Sequence, residues 1–255
     1  MRRVAALFGF VFLPVLMGAP AQAAELHVIG AGAVQEIEME MAREFGAANN
    51  HQIDTIAGPM GMVRQRVEAG EPADIIIASV AVMDSFLESG KVDRASVVPV
   101  GHIGIGVAVR DGAPAPSIAT VEEFRDAILA ARSITHMDPA AGASSGIAIA
   151  RVFADLGIAD RVAGKTVLQS SGYSADRVVS GEADLALQNI SELMAVDGVT
   201  VVGPLPHEIQ TETTYVVGVA SGSAHKDAAA SFIAYLTRPE LDETWRGAGI
   251  EPGAP

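Results

Sequence analysis

Apolar positions along this chain recur in two alternating rhythms. Residues 26–32 (LHVIGAG) form a short apolar run that reads as a strand, after which Val34, Ile37, Met41 and Phe45 return at helical spacing over residues 34–45. Residues 53–58 predict a second strand, and 60–69 a helix that stops at Gly70. The run 73–78 (ADIIIA) is continuously apolar, the pattern of a strand buried on both faces of a parallel sheet, and a helix over 83–87 ends at Gly90. Three strand–helix alternations predict right-handed βαβ units with helices on both sheet faces.

The rhythm then breaks. Residues 97–110 (VVPVGHIGIGVAVR) are longer than one such strand requires and lead into a Pro-rich turn at 113–116. A second alternation follows, with helices predicted at 121–132, 146–156 and 175–179 and strands at 134–137, 165–169 and 183–187. A long β-like stretch at 213–220 precedes two closing helices, 224–236 and 240–247. Two extended segments flanking the second set are what a hinge requires, with crossings near residues 101–106 and 208–214. The expected architecture is α/β and two-lobed with two hinge crossovers: residues 24–103 with 211–255 as lobe 1, and 104–210 as lobe 2. A single open sheet with long connections is the alternative.

The start of the chain predicts a compartment. Arg2 and Arg3 precede an apolar run over residues 4–17, and small residues ending in Ala21-Gln22-Ala23 follow. This is the layout of a signal peptide, residues 1–23, cleaved after Ala23 for export to the periplasm. The run is shorter than the roughly 20 residues that span a bilayer. The chain has no cysteine, which excludes disulfides, a lipid-modified cysteine and thiolate metal sites. Without Arg2 and Arg3, 15 basic residues face 31 acidic ones, a net charge of about −16 that makes nucleic acid and anionic membranes poor partners. A soluble monomer without metal or cofactor is expected. An anionic ligand remains compatible, because backbone N–H groups and helix N-termini make positive pockets inside acidic proteins.

Four small-residue loops sit at the C-terminal ends of predicted strands, where open α/β sheets bind ligands. They are residues 30–33 (GAGA), 58–61 (GPMG), 141–146 (AGASSG) and 170–174 (SSGYS). Each precedes a helix, so free N–H groups and hydroxyls can point at an anion. There is no nucleophile elbow, phosphate loop or metal-ligand cluster.

The segments VIGAGAVQEIEMEMAREF, AGPMGMVRQRVEAGEPADIIIAS and SGEADLALQNISEL resemble the periplasmic molybdate-binding proteins of ABC importers, with residues 66–79 the most specific. The resemblance extends over the whole chain after residue 23. It implies a type II periplasmic binding fold, a ligand held between the lobes and an inner-membrane ABC permease as partner. The family's oxyanion-binding serines do not carry over: Ala33 stands on the first loop and Pro59-Met60 on the second. Losing such donors forfeits charge-assisted hydrogen bonds of about 1.5–3 kcal/mol each.

The resulting ligand set is Gly32, Ala33, Pro59, Met60, Gly61, Arg64, Ser144, Ser145, Ser171, Tyr173, Gln188 and Asn189. Neutral donors with Arg64 as a carboxylate fork suit a small organic carboxylate better than molybdate. The chain is then a solute-binding protein for such an anion. Molybdate-protein-like chains that lack the oxyanion serines are also similar to the periplasmic aconitate isomerase type, which implies a cofactor-free proton transfer. His102, His136, Tyr173 and Glu36 are then the candidate acid–base groups, with no choice among them. A molybdate or tungstate carrier is the third reading.

Overall fold

The computed structural model describes residues 23–253. The expected export segment therefore lies outside the described residues except for Ala23. The first half alternates as its sequence predicts: β1 (Glu25–Ala31), α1 (Gln35–Asn49), β2 (Gln52–Gly58), α2 (Met60–Glu68), β3 (Ile75–Ser79) and α3 (Val80–Glu88). β1 pairs in parallel with both β2 and β3, and β3 is buried along its whole length, as its unbroken apolar run requires.

The long segment is one 13-residue strand, β4 (Val98–Arg110). After it come α4 (Val121–Ala130), β5 (Ile134–Met137), α5 (Ser144–Asp155), α6 (Ala159–Ala163), β6 (Thr166–Gln169), α7 (Asp176–Val179), β7 (Leu185–Asn189), α8 (Ile190–Met194) and β8 (Val199–Pro204). The chain returns through β9 (Glu212–Val219) and closes with α9 (Lys226–Leu236), α10 (Asp242–Gly247) and the short β10 (Glu251–Pro252).

The strand order is β2-β1-β3-β9-β4-β7-β5-β6, with β8 and β10 also paired to β4. β9 lies antiparallel between β3 and β4, so the returning chain fills the middle of the first sheet. The two ends of β4 serve different sheets: residues 98–104 pair with β9, while 105–109 pair with β7 and 106–110 with β8. Where the partners change, Gln210 bridges the gap. Its Oε1 accepts from the Ile105 N–H at 2.9 Å and its Nε2 donates to the Ile105 carbonyl at 2.9 Å, a side-chain amide standing in for a neighbouring strand. Gly104 leaves room for it, because a Cβ there would lie 2.9 Å from the Gln210 amide nitrogen.

The apolar side chains divide with the sheets. One buried cluster draws on residues from Ala24 to Ile103 and from Tyr215 to Ile250, including Trp245, Phe86 and Phe232. The others lie between Ile105 and Leu205, around Phe124 and Phe153 in one and Leu193 in the other. The molecule thus has two lobes joined by β4 and by the segment that leads back into β9. No helix among the described residues is long and apolar enough to cross a membrane.

Candidate functional site

Parallel strands deliver their following helices to one edge of each lobe, and the two edges face each other across the hinge. α1, α2, α5 and α8 all begin at this cleft, and none has a side chain capping its first turn. The residue before α2 is Pro59 and that before α5 is Ala143, neither of which offers a capping oxygen. α4, away from the cleft, instead carries a complete capping box between Thr120 and Glu123. Uncapped first turns leave backbone N–H groups available to a ligand.

Between these helix starts lies a cavity of about 210 Å³. Lobe 1 lines it with residues that include Gly32, Ala33, Glu36, Pro59, Met60 and Tyr215; lobe 2 supplies Ser144, Ser145, Tyr173, Asn189 and Glu192 among others. Hydrogen bonds close the lobes over it. Tyr173 OH donates to Glu36 Oε1 at 2.7 Å, Ser144 Oγ lies 3.0 Å from Tyr215 OH, and Ser191 Oγ donates to the Ala33 carbonyl at 2.6 Å. Beside the cavity the backbones themselves meet: a Cβ on Gly142 would lie 2.8 Å from Gly61 Cα, and one on Gly61 would overlap the Ala141 carbonyl oxygen.

Among the described residues, the wall contains no Lys, Arg or His. Its charge chemistry rests on carboxyl groups and phenols. Glu192 is buried, and its Oε2 accepts from Asn189 Nδ2 at 2.7 Å. Burial pushes its carboxyl up to about 7, while hydrogen bonds from Asn189 and Gln188 restrain the rise. Burial also raises the phenols of Tyr215 and Tyr173, with the Glu192 carboxyl adding to both, so both remain neutral donors. Asn189 Oδ1 is buried without a partner.

Eight of the twelve expected ligand residues line the cavity: Gly32, Ala33, Pro59, Met60, Ser144, Ser145, Tyr173 and Asn189. The other four lie elsewhere. Gly61 and Arg64 line a wider groove of about 1090 Å³ on the hinge side, where Gly61 serves the contact between lobes and Arg64 is exposed. Ser171 is exposed, its carbonyl accepting from Gln169 Nε2. Gln188 is fully buried behind the wall, where its Oε1 accepts from the Ser174 N–H at 2.6 Å and holds the loop that presents Tyr173.

Among the acid–base candidates, Glu36 and Tyr173 reach the cavity. His136 is buried in lobe 2, bonded through Nδ1 to the Met137 carbonyl and edge-on to Phe153, and burial lowers its pKa. His102 lies on β4, with Nε2 3.7 Å from the Glu212 carboxylate. Sequence reasoning missed Glu192 and Tyr215. The signal for Glu192 is faint: an acidic residue three places after a strand-ending Asn, which ordinarily marks only a helix start.

The family described as bacterial extracellular solute-binding protein matches residues 26–251. An aconitate isomerase from Pseudomonas sp is 30% identical over 233 residues, covering 89% of this chain and 87% of that protein. The periplasmic molybdate-binding protein of Azotobacter vinelandii superposes with a TM-score of 0.75 at 19% identity, covering 90% of this chain and all of that one. The sulfate-binding protein SubI from Mycobacterium tuberculosis H37Rv gives a TM-score of 0.70 at 20% identity, over 91% and 88% of the two chains. These last two likenesses carry the fold, that of two-lobed periplasmic binding proteins.

Proposed function

This chain belongs to the bacterial extracellular solute-binding protein family, and from that membership we propose that it closes on a small organic carboxylate in the cavity between its lobes. The observation that carries this reading is the wall itself. It offers uncapped helix starts, hydroxyls, phenols and the amides of Gln35 and Asn189, with no side-chain donor at Ala33, Pro59 or Met60. A tetrahedral oxyanion needs donors from every side, whereas a carboxylate needs them at its head group alone. On this reading lobe 1 is residues 24–103 with 211–255 and lobe 2 is 104–210, residues 1–23 direct export, and an inner-membrane ABC permease receives the solute. A mature chain whose intact mass begins at Ala24 would support the export assignment.

A melting screen tests the ligand class. A ligand at about 100 times its Kd adds roughly 2.7 kcal/mol of stability. At least one di- or tricarboxylate is expected to raise the Tm, while millimolar molybdate, tungstate and sulfate leave it unchanged. Tight molybdate binding would overturn the carboxylate reading.

Glu192 and the aconitate isomerase relative favour a second reading, in which the same cavity interconverts unsaturated polycarboxylates. The Glu192 carboxylate removes a proton from the CH₂ beside the double bond, and the carboxyl so formed returns one to the far carbon of the three-carbon unit, with no net gain or loss of protons or electrons. Conversion of trans- to cis-aconitate, followed by proton NMR against a heat-killed control, decides between carrier and isomerase.

A further inference from the structure

An anion enters a cavity whose wall already holds two carboxyl groups, Glu36 and Glu192, and no cationic side chain. Glu36 is satisfied by the Tyr173 hydroxyl. Glu36 is exposed, whereas Glu192 is buried and is held by amides alone. The groups facing it are Asn189 and Gln188 from β7, the Tyr215 and Tyr173 phenols, and the Gly32 backbone, where an added Cβ would lie 3.5 Å from Glu192 Oε1. Among the described residues, no positive group contributes to its ionisation.

The Asn189–Glu192 pair has two states. With Glu192 ionised, Asn189 spends its Nδ2 on the carboxylate, and its Oδ1 is left buried with no donor. An anion brought against that pair meets an acceptor and a like charge. With Glu192 protonated, the carboxyl O–H donates to Asn189 Oδ1 once the amide turns over, an exchange of oxygen and nitrogen positions that keeps the same contact. Asn189 Nδ2 is then released. The pair has changed from acceptor to donor.

Resting on the carboxylate reading of the cavity, we infer that this protein takes up one proton with its anion, held on the Asn189–Glu192 pair. The proton both cancels the Glu192 charge and frees the Asn189 amide as a donor beside the hydroxyls and phenols of the wall. Two carboxylates forced into one site share a proton for the same reason. Burial already holds the empty site's carboxyl near neutrality, so the coupling falls at and above pH 7. A bound carboxylate raises it further.

Isothermal titration of trans-aconitate into the mature protein, at pH 8 in buffers of different ionisation enthalpy, counts the protons. The probe itself is fully ionised there. We expect uptake close to one proton per ligand and an affinity that falls up to about tenfold per pH unit above 7. Glu192→Gln, whose amide imitates the protonated carboxyl, is expected to bind with no proton uptake and a flat profile between pH 7 and 9. Binding without proton uptake in the parent protein overturns the inference, as does a proton count unchanged in Glu192→Gln. A ligand-free measurement separates this from the choice of ligand: the Glu192 carboxyl carbon, followed by ¹³C NMR, should titrate near 7. An ordinary carboxylate titration there overturns the inference whatever binds, whereas titration near 7 with no carboxylate bound in the melting screen overturns only the ligand class.

Discussion

A second carboxyl in this molecule is as deeply placed as Glu192 and has no cavity to serve. Glu38, on α1, is 1% exposed; its Oε1 accepts from Thr55 Oγ1 at 3.1 Å, and burial pushes its carboxyl from 4.5 up to about 7. Below pH 4.5 it is neutral whether the chain is folded or unfolded, so burial carries no electrostatic penalty. Between there and about 7 the unfolded chain ionises while the folded one keeps its proton, and stability declines; above 7 the loss is complete. Glu38→Gln should therefore match the parent near pH 4 and exceed it by about 3 kcal/mol at pH 8, at about 1.4 kcal/mol for each unit of raised pKa. Denaturant unfolding at the two values measures this. A difference independent of pH would show that Glu38 is not held neutral. Only the comparison between variant and parent is diagnostic, because burial of His136 tilts the whole-protein profile in the opposite direction, stability falling as the pH drops below the ordinary range of an imidazole. At this scale the sequence yields the loops better than their support. Ser144 and Tyr173 are legible because they lie on small-residue loops that follow strands, and Asn189 through the family resemblance, whereas Glu192 becomes buried through the packing of α8 on β4 and β8, which no local spacing encodes.

Among the elements, the start of α2 and the turn before α5 approach without intervening side chains, at Gly61 and Gly142. Gly142 adopts φ 72°, where a side chain would be strained even in the open, so Gly61 is the cleaner probe. A methyl there would overlap the Ala141 carbonyl and hold the lobes apart while leaving each core intact. Gly61→Ala is expected to keep its Tm within about 2 °C, to weaken carboxylate binding at least tenfold, and to scatter with the same radius of gyration with and without ligand. Unaltered affinity would mean that the lobes close without this contact. Element order was readable wherever apolar runs were long. α6 and α8, five residues each and little more than one turn, were not predicted, although the four-residue α7 was, and neither was β8. β8 escapes because it is partly exposed and pairs with β4 through an irregular register beside Gly203, so its six residues carry no clean alternation.

At the scale of the molecule, both crossings were legible because each needs an extended segment that no βαβ unit explains. The place of β9 was not: strand pattern reveals burial but not which neighbours a returning strand will separate. That position has a consequence in time. Lobe 2 is one continuous stretch of chain, and its sheet needs only local partners besides the end of β4. Lobe 1 cannot complete its sheet until residues 212–219 arrive to fill the space between β3 and β4. A refolding chain would therefore assemble its middle, lobe 2, before lobe 1, since contacts between segments far apart in sequence form late. Refolding with pulsed hydrogen exchange should protect the amides of Thr135 and Ala186, on paired strands β5 and β7, before those of Val28 and Ile76, on β1 and β3. Equal protection times would mean that β1, β2 and β3 hold together unaided. A strand near the end of the chain is thus the keystone of the lobe in which the chain begins.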